Sequence, residues 1–150
     1  MNFDEFVFVP QDLASSFEGR DYVREMRYYY HFAPRPGHRV NAWKKQSTGV
    51  DLVSSAGHQV AFAGRRVFPQ NFILRHYIVL SAAHANRKYG QERVYSQRET
   101  DERGWRPQRL QWRKGEYHPP NIGDLKCIDA EGINVNDPRS SHLFSFPVRS

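Results

Sequence analysis

The sequence predicts an α/β fold, a mixed sheet with one long helix, and three observations predict it. Short runs rich in aromatic and β-branched residues recur through the first half: FVFVP at 6–10, MRYYYHFA at 26–33 and FILRHYIV at 72–79. That composition suits the pleated, half-buried surface of a strand. Ser81 followed by AAHANRK reads as an N-cap opening a helix. Helices do not alternate with the strands, as a complete doubly wound unit would require.

Taken in order, residues 6–10 form a buried strand closed by Pro10. Residues 11–27 are polar, contain Gly19, and hold a turn or a short helix. The strand at 26–33 stops at Pro34-Arg35-Pro36-Gly37, a strong turn signal. HRVNAWKK at 38–45 alternates like another strand, with Val40 and Ala42 facing one way and Trp43 the other. A turn at Gly49 leads into 50–53, then into the small residues Ser54 to Gly57. Two short strands, 58–62 and 65–68, flank Gly64. Residues 72–79 are the most apolar run and read as a central strand bearing a cationic patch at Arg75-His76. The helix is expected from Ala82 to about residue 98, supported by its alanines, weakened by Gly90, and made basic by Arg87, Lys88 and Arg93. Beyond Trp105 the prolines and glycines punctuate segments too short to pack. The chain therefore divides into a domain at 1–114 and an irregular tail at 115–150.

A length of 150 residues suits one core. A mean hydropathy of -0.78 is polar, yet 3 Trp, 8 Tyr and 10 Phe supply bulky core material that a disordered chain lacks. No window approaches the length of a membrane-spanning apolar helix. The acidic, aromatic start MNFDEFVFVPQ is wrong for a targeting peptide. The single cysteine, Cys127, excludes an internal disulfide and a CxxC metal site, so a reducing, cytoplasmic setting is expected. The net charge of +6 is uneven: residues 65–114 hold twelve bases against four acids, while residues 1–25 hold two bases against six acids. Positive potential in the middle of the chain points to a partner carrying phosphate.

Several chemistries lack their motifs. There is no GxxxxGK[ST], no GxGxxG and no GxSxG, nor any zinc-finger or RNP spacing. RGWRPQRLQW at 103–112 interleaves cations with aromatics and suits a non-catalytic binding module for nucleic acid or anionic glycan. Two of the seven histidines stand out. His58 follows Ser-Ser-Ala-Gly, where small residues admit close approach, and His76 ends the apolar run beside Arg75 and Tyr77. Imidazoles so placed serve as metal ligands or as hydrogen-bonded structural groups.

At these residues the chain resembles bacterial family 2 glycosyltransferases. The resemblance is carried by NAWKK at 41–45, VDLVSSAGHQVAFAGRRVFP at 50–69, FILRHY at 72–77, Ser81, His84, Arg87-Lys88, and ERGW at 102–105. It spans about residues 38–105, with a looser match over 1–37. It departs from the family pattern at Ile78, where proline is usual, and at Ala56, where a second glycine is usual. The resemblance implies a partial GT-A-like fold and an inverting, Mn- or Mg-dependent transfer of sugar from a nucleotide-diphospho-sugar to a hydroxyl. It further implies His76, and second His58, as metal ligands, Arg75 and Lys88 as diphosphate cations, and Asp51 as the base. The DxD-bearing donor lobe has no counterpart here; Asn2-Phe3-Asp4-Glu5 echoes DxDE only superficially. A sheet edge left open by that lobe is expected to invite a partner chain or self-association.

Overall fold

The computed structural model describes residues 1–11, 14–32, 39–55, 57–92, 101 and 120–134. Their framework is a mixed four-stranded sheet with few helices. Strands β1 (Asn2–Phe8), β2 (Tyr28–His31), β3 (Asn71–Tyr77) and β4 (Lys126–Cys127) lie in the order β3-β1-β2-β4. β1 runs antiparallel to β2, with Phe6 opposite His31 and Phe8 opposite Tyr29. It runs parallel to β3, with Asn2 opposite Asn71 and Phe8 opposite Tyr77.

β1 and β2 are the interior strands, and both faces of β1 are apolar, which is the pattern of a strand covered on two sides. Val7 and Val9 pack with Tyr30, Ile78, Val79, Ala85 and Tyr89. Phe6 and Phe8 pack the other way with Phe17, Met26 and Tyr29. The first face is covered by α2 (Ala82–Ala85) and the π-helical turn Asn86–Glu92 that continues it; the second lies under the segment holding α1 (Tyr22–Glu25).

The expected central strand at 72–79 is instead the sheet edge among the described residues. Its apolar Phe72 and Ile73 stay 38% and 54% exposed. Apolarity alone cannot say which strand is central; β1 wins because FVFV fills both faces. Among the described residues, the strand expected at 38–45 and the three segments at 50–53, 58–62 and 65–68 form no ladders. The first three make single-residue bridges, Val40 to Gln59 and Asp51 to Ala61. Gly57 and Gly64, at φ of 82° and 71°, turn the chain too soon for longer pairing. Of the helix expected over 82–98, residues 82–92 are helical and 93–98 lie outside the described residues. Within the stretch 115–150, β4 pairs with β2, with Tyr28 opposite Cys127, and Asn134 N–H donates to the Tyr29 hydroxyl at 2.8 Å. Among the described residues no helix is long and apolar enough to cross a membrane.

Candidate functional site

The site grows from one acid in the central strand. Alternation along β1 puts Glu5 on the same face as Val7, and there it is fully buried at 0% exposure. A buried carboxylate must be paired, and two groups pair it. Arg39 forks onto it, Nε to Oε2 at 2.5 Å and Nη2 to Oε1 at 3.0 Å. His76 Nδ1 hydrogen-bonds to Oε1 from the neighbouring strand. The register explains that contact: Glu5 lies opposite Leu74 and Val7 opposite His76, so the acid and the imidazole are diagonal neighbours on one face.

Backbone contacts bring Arg39 and His58 to the same place. The Phe3 N–H donates to the Arg39 carbonyl at 3.1 Å, and the Val60 N–H donates to the buried Val40 at 3.0 Å. The turn before His58 is closed by Ser55, whose hydroxyl accepts from the Gln59 N–H at 2.9 Å, and by the Gly57 N–H donating to Leu52 at 2.8 Å. Arg39 Nη1 then contacts His58 Nδ1. The order in space is His76, Glu5, Arg39, His58.

The electrostatics follow from the partners. Burial is the largest single influence on Glu5 and would raise its pKa. The hydrogen bonds from His76 and Arg39, with their charges, outweigh it and hold the carboxyl at about 2. An ionised carboxylate only accepts, so the proton between Glu5 and His76 belongs to Nδ1 of the ring. A guanidinium only donates, so Nδ1 of His58 accepts and its proton sits on Nε2. In their neutral forms the two histidines are thereby held in opposite tautomers.

The structure thus joins His58 and His76, through Glu5 and Arg39, and disperses the other three expected residues. Arg75 projects from the opposite face of β3, where its guanidinium lies 6.0 Å from the Phe8 ring centroid. Lys88 donates to the Ile78 carbonyl at 2.8 Å and covers the Tyr89 ring at 5.3 Å, tying the helix to the end of β3. Asp51 is exposed and closes its own turn, accepting from the N–H groups of Val53 at 2.8 Å and Ser54 at 3.1 Å. Hydrogen bonds from Ser54, side chain and then backbone, hold its carboxyl below the ordinary range.

The fit to a metal is poor. Mn and Mg favour oxygen ligands, and both Glu5 oxygens are taken by Arg39 and His76. His58 Nδ1 is taken by Arg39, whose positive charge also opposes a second cation. Among the described residues no group of three or more His, Cys, Asp or Glu is placed to hold a metal ion. His76 Nε2 is the ligand atom that the contacts to Glu5 leave open.

Glu5 and Arg39 were not among the residues singled out from sequence. The available signal was the acid itself: Glu5 interrupts the apolar face that continues through Val7 and Val9, and an acid on such a face needs a partner. Comparison with protein-family models, with curated proteins and with solved structures finds no match.

Proposed function

We propose that the chain supplies the acceptor side of a glycosyltransferase related to family 2, in which a sugar passes from a nucleotide-diphospho-sugar to a hydroxyl. One observation carries this reading. GHQ at 57–59 and RHY at 75–77, two of the segments that resemble the family, meet at one buried ion pair although they are far apart in sequence. A divalent ion would supply neutralisation of the leaving diphosphate, but no group of three or more His, Cys, Asp or Glu among the described residues is placed to hold one. The chain's own groups hold and orient the acceptor.

The rival reading, a basic module for nucleic acid or anionic glycan, gains less. Arg87 on the helix is already engaged by Glu18 and, at 3.5 Å, by Glu92.

Thermal melts with Mn and a panel of nucleoside diphosphates test the proposal. Ligand that binds only the folded state raises the midpoint by mass action. A metal-dependent rise for one nucleotide shows a usable donor site beside the acceptor side. A panel flat throughout marks a donor-blind domain and removes transfer by this chain alone. A salt-sensitive rise with any polyanion favours the binding module instead.

A further inference from the structure

We propose that His76 is a proton-accepting group, that Glu5 is its positioning residue, and that this dyad, rather than Asp51, is the base for the acceptor hydroxyl. The assignment of the hydroxyl rests on the transferase reading; the dyad rests on geometry alone.

Three observations support it. His76 Nδ1 is turned inward to a carboxylate with no exposure, while the His76 side chain is 37% exposed. With Nδ1 turned inward, we take the exposed part of the ring to be its opposite edge, where Nε2 carries a lone pair whenever the ring is neutral. Arg39, 13% exposed and forked onto Glu5, fixes the carboxylate so that it cannot swing away from the ring. Asp51, by contrast, is exposed, with Oδ1 engaged by two backbone amides of its own turn and no buried group to orient it as a base.

A base held by a third group in this way has the architecture of an activated proton acceptor. In the proposed step the acceptor O–H gives its proton to His76 Nε2. The freed oxygen bonds to the anomeric carbon of the donor sugar. The bond from that carbon to the diphosphate breaks, and its electron pair leaves with the diphosphate. Glu5 stabilises the imidazolium, which then loses its proton to water.

The dyad is testable without donor or acceptor, using 4-nitrophenyl acetate as a probe of an open, basic imidazole. His76→Gln, on a partly exposed edge strand, keeps the fold, and its ester hydrolysis is expected to fall at least about tenfold. The double variant Glu5→Gln/Arg39→Gln removes both buried charges together and is expected to lose reactivity with His76 still present. Nitrogen-15 spectra of the wild-type rings are expected to show the neutral His76 proton on Nδ1 and the His58 proton on Nε2. Unchanged hydrolysis in either variant, or a His76 proton on Nε2, overturns the proposal. So does selective broadening of the His76 ring signals by Mn, which would make it a metal ligand. A flat nucleotide panel with these results intact removes transfer by this chain alone and leaves the dyad.

Discussion

Glu5 and His76 stand on adjacent parallel strands, two residues out of register, and their side chains hydrogen-bond on the same sheet face. The acid that disrupts the apolar pattern of β1 thus joins Asn2 and Asp4, both bonded to Asn71, in binding β1 to β3 through side chains as well as backbone. The same pairing gives the fold a sensitivity to acid.

Glu5 titrates at about 2 in the folded chain against an ordinary 4.5. A folded pKa below the unfolded one means stability that is complete above pH 4.5 and drains away as pH falls toward 2. At about 1.4 kcal/mol per pKa unit the loss is on the order of 3 kcal/mol. Urea melts at pH 7, 4 and 2.5 should show this decline, and a Glu5→Met/Arg39→Met variant should show much less of it.

That double variant should also be far milder than its parts. Arg39→Met leaves a buried carboxylate without its guanidinium and is expected to cost about 3–5 kcal/mol. Replacing both charged groups with apolar ones removes the uncompensated charge. Denaturant midpoints for both single variants and the double measure the difference directly.

His31 presents an opposite opportunity. Its ring stacks on Phe6, centroids 4.6 Å apart, and both ring nitrogens are buried without a hydrogen-bond partner. His31→Phe should therefore stabilise the protein by about 1–2 kcal/mol. Burial pushes the His31 pKa down, against an upward pull from Asp4. Its contribution is therefore present above its ordinary 6.5 and lost as pH falls below it. The variant should flatten the change in melting temperature between pH 7 and 5.

Ser81 caps the helix, its hydroxyl accepting from the His84 N–H at 2.9 Å. Ser81→Ala should cost about 1 kcal/mol and speed hydrogen exchange at the His84 amide. His84 reinforces the same turn, because its Nδ1 accepts from the Leu80 N–H at 3.0 Å. Burial, aided by Lys88, keeps the His84 pKa low, in keeping with a ring that must stay neutral to accept.

The parts of the fold that local chemistry decides were legible in the sequence. FVFV, YYY and FILRHY are strands, and Ser81 starts a helix, because aromatic and branched side chains or a hydroxyl cap act within a few residues. Which strand is central depends on how many faces each strand fills, and that is settled only by packing. Asn2, Asp4 and Glu5 are poor strand formers, drawn into β1 by pairing with Asn71 to Leu74. At the site, His58 and His76 were visible as unusual words. Arg39 was not, because a lone arginine in a basic segment has no local mark of the acid that it will meet.

The parallel pairing of β1 with β3 has a consequence for biosynthesis. Residues 9–70 lie between the two strands, so β1 is made long before its parallel neighbour exists. At ribosomal speeds the delay is on the order of several seconds. During it β1 can pair with β2 alone, leaving Phe6, Val7, Phe8 and Val9 under-covered and Glu5 without its imidazole. A nascent chain of this design offers chaperones a defined window, which closes when residues 71–92 emerge to supply both the second strand and the helical lid.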